Sequence, residues 1–262
     1  MKENLIGMFD SGLGGLSVWR ALVASVPDVP ALFVADQQHC PYGNLTEEAI
    51  LDRSIAICDW LVSQEVTQIV VACNTATSVA IERLRQRYPI PVIGIEPAVK
   101  PAAAQTRSGK IAILATAATL RTEKYHRLND RYGKSVDVYA VTPEGWVDAV
   151  EGHIHDKSEV RKLVNRVIQP LLDDGVDQIV LGCTHYPFLR YLIEQIVPAG
   201  VTIHDPAPAV INHAASLMNG CSQPTERDRE KYCFYTTGNT TRMRESLCRL
   251  LGIHAVVSSL ST

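Results

Sequence analysis

Short apolar runs alternate along this chain with longer stretches in which apolar positions recur every three or four residues. The first pattern fits buried strands and the second amphipathic helices. Strands are predicted at 4–9 (NLIGMF), 31–36 (ALFVAD), 68–73 (QIVVAC), 91–95 (PVIGI), 110–116 (KIAILAT), 136–141 (VDVYAV), 178–183 (QIVLGC) and 201–205 (VTIHD). Helical spacing occupies 17–26, 47–64, 77–88 and 158–175. Strands alternating with helices predict an α/β fold built on parallel sheet covered on both faces, in which ligands bind at the carboxyl ends of the strands.

The polar residues that interrupt the pattern fall at those ends. Asp10-Ser11 follows the first strand, Asp36 ends the second, Cys73-Asn74-Thr75 the third, Thr116 the fifth, and Cys183-Thr184-His185 the seventh. Two of these ends share a context, because Val-x-Gln-Ile-Val-x-x-Cys occurs at 66–73 and again at 176–183. The repeat predicts two pseudo-symmetric domains, each a mostly parallel sheet flanked by helices, with an active site in the cleft between them. A boundary near Pro97 and a return near Pro206-Ala207-Pro208 give 1–97 plus 209–262 as the first domain and 98–208 as the second. The polar stretch 219–231 reads as an exposed connection.

Composition narrows the class. With 46% hydrophobic and 20% charged residues, the 262-residue chain is expected to be a soluble globular protein. A net charge of −3 and the lack of a Lys/Arg run argue against nucleic acid as a partner. The N-terminal MKENLIGMFDSG has no apolar core of a signal peptide, and no 18-residue apolar run suggests a membrane span. Seven scattered cysteines fit a reducing cytoplasm, where thiols stay free for chemistry.

Most of those cysteines read as small buried hydrophobes: Cys40, Cys58, Cys221, Cys233 and Cys248. Cys73 and Cys183 differ, since both sit in the repeated context and both precede hydrogen-bonding residues at a ligand-binding edge. FDSGLGGLS (9–17) lacks both the dinucleotide fingerprint and the Walker lysine. Its glycines are expected to let backbone approach a small ligand, and the helix after it to offer N–H groups to an anion. Asp10 is a candidate cap of that helix or a site residue. His185, two residues from a candidate thiol, suits proton transfer, whereas Pro41-Tyr42-Gly43 reads equally as a plain turn. A zinc site of Cys73, Cys183, His185 and Asp10 is the rival reading; no C-x-x-C or H-x-x-x-H pair anchors it, so no metal is expected.

Five segments together resemble the glutamate racemases: FDSGLGGLSV (9–18), D-x4-PYG (36–43), VACNTAT (71–77), ATAATLRTEKY (115–125) and LGCTHYP (181–187). The resemblance implies two pseudo-symmetric α/β domains, cofactor-independent conversion of L-glutamate to D-glutamate for peptidoglycan, and a thiol pair as the two bases. It implies catalytic roles for Cys73 and Cys183, assisted by Asp10 and His185. It assigns Asp10, Ser11, Pro41, Tyr42, Gly43, Asn74, Thr75, Thr116, Thr119, Thr184 and His185 to the substrate or the thiols, with Glu151 a further candidate. Two departures stand out. The Val-Pro-Leu-Val-Glu run common in the family reads Val147-Asp148-Ala149-Val150-Glu151, and Ala115 and Ala118 replace glycines of the fourth motif. The expected partner is glutamate, with a homodimer as the candidate assembly. The absence of an N-terminal extension implies no activation by a peptidoglycan precursor. Aspartate racemase is the alternative activity, and a gyrase-inhibiting interaction, known among family members, the non-enzymatic one.

Two thiols suit racemisation for a physical reason. Inverting an α-carbon needs a proton removed from one face and another delivered to the opposite face, so a thiolate and a thiol flank the carbon and exchange roles with direction. Free cysteine has a pKa of about 8.5, so the acting base needs neighbours that favour its charged form.

Overall fold

The structure, a computed structural model, describes residues 4–218 and 231–261. The chain divides into two units, Met1–Ile95 with Ala207–Thr262, and Glu96–Pro206. Cys221 and most of the stretch 219–231 lie outside the described residues.

In the first unit the order is β1 (Ile6–Asp10), α1 (Leu16–Ser25), β2 (Ala31–Ala35), α2 (Glu47–Ser63), β3 (Gln68–Val71), α3 (Asn74–Arg87) and β4 (Val92–Gly94). The second unit carries α4 (Val99–Gln105), β5 (Lys110–Leu114), α5 (Ala117–Arg121), α6 (Glu123–Tyr132), β6 (Asp137–Val141), α7 (Trp146–Glu151), α8 (Lys157–Asp173), β7 (Gln178–Leu181), α9 (Arg190–Glu194) and β8 (Thr202–His204). The chain then returns to the first unit with α10 (Ala207–Ser216), β9 (Tyr232–Thr236), α11 (Thr240–Leu251) and β10 (Val257–Ser259).

Among the described residues the first sheet runs β10-β9-β2-β1-β3-β4 and the second β6-β5-β7-β8, every pair parallel. The order β2-β1-β3-β4 is that of β6-β5-β7-β8, so β3 and β7, the two strands of the repeat, hold equivalent positions. In each unit the chain goes from its first strand to one neighbour, then crosses to the other side. The reversal point lies between β1 and β3, and between β5 and β7, where sheets of this kind bind ligands.

The central strands are buried throughout, as their unbroken apolar runs require. Trp19 of α1 anchors one face of the first sheet, edge-on to Phe33 and Tyr232 at 5.9 and 5.2 Å between ring centroids. On the other face Ile57, Leu61, Ile81 and Leu84 of α2 and α3 join Phe9, Ile69 and Val71. In the second unit Ile111, Ile113 and Val180 pack with Val99, Ala102 and Tyr125.

Two boundaries differ from the pattern reading in a way that matters. β3 and β7 end at Val71 and Leu181, two residues before the cysteines. α3 begins at Asn74 rather than 77, because Cys73 itself caps it and the ladder has no partner to continue with. No helix among the described residues is long and apolar enough to cross a membrane.

Candidate active site

Each cysteine follows a small residue that closes the end of the sheet. The Ala72 N–H donates to the Phe9 carbonyl at 2.8 Å, and the Gly182 N–H donates to the Leu114 carbonyl at 2.7 Å. At Gly182 a Cβ would come within 2.9 Å of the Leu114 oxygen, so the approach of β7 to β5 demands glycine. Both cysteines are thereby set just beyond the carboxyl edge of a central strand, and both are buried.

In the first unit Cys73 is the N-cap of α3. Its sulfur accepts the Ala76 N–H at 3.4 Å, and its thiol donates to the Ser11 hydroxyl at 3.5 Å. A helix N-terminus favours the thiolate, through both its free N–H groups and its dipole. Asn74 and Thr75 form the first turn of α3 and are buried. Neither the nitrogen nor the oxygen of the Asn74 amide has a hydrogen-bond partner among the described residues.

Hydrogen bonds of its own hold the Asp10–Ser17 loop inside the first unit. Asp10 does not cap α1; its carboxylate accepts the Gly12 N–H at 2.7 Å. The N-terminus of α1 is closed on its own loop, Leu16 and Ser17 donating to the carbonyls of Leu13 and Gly14. Gly15 is required by packing inside the unit, since a Cβ there would fall 2.5 Å from that of Asp10.

Tyr42 is buried at the start of a 3-10 turn, Tyr42–Asn44, after a cis peptide bond between Cys40 and Pro41. Its hydroxyl donates to Asp36 at 2.6 Å. Asp36 also takes two hydrogen bonds from Arg53 at 3.0 Å each and one from the Thr237 hydroxyl at 2.7 Å, and His39 lies 3.0 Å away. Burial works to raise the Asp36 carboxyl, but these donors, Arg53 foremost, outweigh it and hold its pKa below the ordinary 3.8. Burial and then the Asp36 charge push the Tyr42 phenol far above its usual value, so Tyr42 keeps its proton. Pro41 and Gly43, half-buried, flank this anchored ring.

In the second unit Thr116 caps α5, accepting the Thr119 N–H at 3.2 Å and lying 2.9 Å from the Thr119 hydroxyl. Cys183, Thr184 and His185 lie in a turn closed by the Tyr186 N–H on the Cys183 carbonyl at 3.1 Å. His185 has helical backbone angles (φ −73°, ψ −34°), so the turn, and not an extended strand, brings its Nδ1 to 3.6 Å from the Cys183 sulfur. Its Nε2 is 2.7 Å from Glu151 at the end of α7, with both side chains buried. With Glu151 ionised, Nε2 carries the proton; Nδ1 then accepts from the thiol when the ring is neutral and donates to the thiolate when the ring is an imidazolium.

Pattern reading passed over Arg53, Thr237, Trp146 and Tyr186. Asp36 was visible as a strand end, but nothing marks Arg53 among the polar residues of α2 as its partner. The remaining thiols are more varied than expected. Cys58 is fully buried, and burial pushes its thiol up. Cys40 and Cys233 are only partly buried, and Cys248 is exposed, 3.9 Å from His254 Nε2.

Comparison with known proteins matches this arrangement. The family model for Asp/Glu/Hydantoin racemase fits residues 6–214. The chain belongs to this racemase family. A glutamate racemase of Ectopseudomonas mendocina is 40% identical over 257 residues, spanning 96% of each chain. Escherichia coli glutamate racemase, solved in complex with L-glutamate and the activator UDP-MurNAc-Ala, superposes with a TM-score of 0.87 at 29% identity, over 99% of both chains. Glutamate racemase from Bacillus anthracis gives 0.86 at 27% identity, over 100% of this chain and 98% of its own. The racemase fold thus spans the whole chain, and both repeated cysteine segments lie inside the family match.

Proposed function

We propose that this chain is a glutamate racemase that interconverts L- and D-glutamate with Cys73 and Cys183 as its two acid–base groups, and that it supplies D-glutamate for peptidoglycan. One observation carries the mechanism. Two topologically equivalent strand ends each hold a buried cysteine with its own means of favouring a thiolate: the α3 N-terminus with Ser11 at Cys73, and the His185–Glu151 pair at Cys183. The thiolate on one face removes the α-proton while the thiol on the other donates its own, and no further chemical group is required. The unpaired Asn74 amide suits a polar group of the substrate, and the hydroxyls of Ser11, Thr75, Thr116, Thr119 and Thr184 suit its carboxylates or the charge that develops at the α-carbon. Free thiols throughout the described residues fit a reducing cytoplasm.

Aspartate is the alternative substrate that the family description leaves open. The likeness to an aspartate racemase homologue of Pyrococcus horikoshii, at 16% identity, is one of fold alone. The test is to follow loss of optical activity from L-glutamate and from L-aspartate with no added cofactor, before and after dialysis against EDTA. Cys73→Ser and Cys183→Ser should each abolish racemisation in both directions, because each direction needs one base and one acid. Near wild-type rates in both variants would overturn the two-thiol assignment, and preference for L-aspartate would overturn the substrate.

A further inference from the structure

At the carboxyl edge of the first sheet the loops after β2 and β9 are fastened to each other. The Thr236 hydroxyl donates to the Gln37 side chain at 2.9 Å and accepts the Gly238 N–H at 3.0 Å. A Cβ at Gly238 would fall 2.9 Å from that of Gln37, so the two loops are pressed together. The next hydroxyl, Thr237, is bound on both sides: it donates to Asp36 at 2.7 Å and accepts the Gln38 N–H at 3.2 Å. Asp36 is fully engaged in turn. Its Oδ1 takes Thr237 and Arg53 Nη2, with His39 Nδ1 3.0 Å away, and its Oδ2 takes Arg53 Nε and the Tyr42 hydroxyl. These contacts fill the roughly four lone-pair sites of a carboxylate, so its orientation is fixed. Fixing Asp36 fixes Tyr42, whose ring is held by its tip at 2.6 Å. The turn Tyr42–Asn44 packs on α3, the helix that Cys73 caps, and Tyr42, Cys73 and Ala76 lie in one buried apolar cluster.

We propose that Thr237, acting through Asp36, is a positioning residue that holds the Tyr42 turn on the head of α3 and so keeps water from Cys73. Arg53 supplies the charge that lets the carboxylate be buried. Thr237 supplies the direction, because its hydroxyl is tied at the same time to the backbone of the loop that carries Asp36. A dry wall matters to a thiolate base, which water would otherwise solvate and weaken. Nothing in the sequence marks Thr237, which lies well beyond the last racemase-like segment, 181–187.

Thr237→Val keeps the volume and removes the hydroxyl, and Thr237→Ser restores it. Wild type and both variants are treated with iodoacetamide at about pH 8, and alkylation is read cysteine by cysteine by peptide mass spectrometry. Cys58, fully buried in the same cluster as Cys73, reports general loosening of the unit. In Thr237→Val alkylation of Cys73 should quicken about tenfold, the scale of a lost hydrogen bond to a charged acceptor, with Cys58 and Cys183 unchanged. The Ser variant should return to the wild-type rate. Tyr42→Phe, which keeps the ring and cuts its tie to Asp36, should behave as Thr237→Val does. An unmoved Cys73, or Cys58 and Cys73 quickening together, would overturn the proposal and leave Thr237 a structural residue. The consequence for turnover rests on the racemase reading, and a second assay keeps the two apart. Each enantiomer of a β-chloro amino acid loses its α-proton to one thiolate and chloride from its β-carbon, a double bond forming between the two carbons. At saturating substrate, Thr237→Val should slow this elimination by up to about tenfold for the enantiomer that Cys73 deprotonates and spare the other. Equal slowing of both would sink the link to Cys73. A wild type that eliminates HCl from neither enantiomer would count against the racemase reading, with the labelling still deciding the part of Thr237.

Discussion

The side-chain amide of Asn74 has no hydrogen-bond partner among the described residues. Both polar atoms of its amide are buried and unpaired, at a cost of about 1–3 kcal/mol. Asn74→Ala removes that cost and leaves a small cavity, so urea unfolding should show stability kept or raised by up to about 1 kcal/mol. Racemisation should fall by about tenfold or more, chiefly through KM. A loss of more than about 2 kcal/mol would mean that the amide serves the fold instead. His185 gives a sharper test. His185→Asn should slow elimination from the enantiomer that Cys183 deprotonates by about a hundredfold and spare the other. Equal losses would withdraw its part in proton transfer. The pairing of His185 with Cys183 was readable from their spacing, and a turn just past the predicted strand end brings it about. Glu151, 34 residues from His185, carries no local signal at all, and only the family resemblance pointed to it.

Periodicity located the long elements well. The helices α2, α3 and α8 match 47–64, 77–88 and 158–175 to within three residues, because 14 or more residues of amphipathic spacing leave little choice. The short helices α4, α5, α7 and α9, of five to seven residues, were not foreseen, since so few turns hold no period; α6, α10 and α11, of 10 to 12 residues, and the strands β9 and β10 were not foreseen either. At α1 one of the loop glycines, Gly15, is required by close packing against Asp10, which no pattern along the chain shows. Side-chain networks between elements were the least legible. Arg53 reaches Asp36 from α2, and Arg53→Met should destabilise the first unit by about 3 kcal/mol by leaving a buried carboxylate poorly compensated. The sign with pH follows from the lowered pKa. The stability that Asp36 contributes is fully present above its ordinary value of 3.8 and is lost as pH falls through the lower folded value. In Arg53→Met that folded value rises, so an acid titration of unfolding should show the loss beginning at higher pH than in wild type. Coincident titrations would show that the other donors suffice.

At the scale of the whole chain, alternation of strands and helices was enough to name the α/β class, and the cysteine repeat enough to suggest duplication. The equivalence of β2-β1-β3-β4 with β6-β5-β7-β8 needed the sheet registers, which no pattern along the chain contains. The segment 96–206 is continuous and has its own four-stranded sheet and apolar cluster. Expressed alone, it should unfold cooperatively in urea and racemise nothing. Residues 1–95 alone should aggregate, because β9 no longer covers the edge of β2. Failure of 96–206 to fold would mean that the second unit depends on the first.

The Thr237 hydroxyl that fastens Asp36 lies 201 residues further along the chain than the carboxylate it binds. On the ribosome that separation is a delay. The strand β9, which pairs with β2, and the lock on the Tyr42 loop are made only after the entire second unit has emerged, and that unit, being continuous, is free to fold first. The half of the molecule bearing Cys73 is therefore finished last, and a nascent chain holds an incomplete first sheet for most of its synthesis.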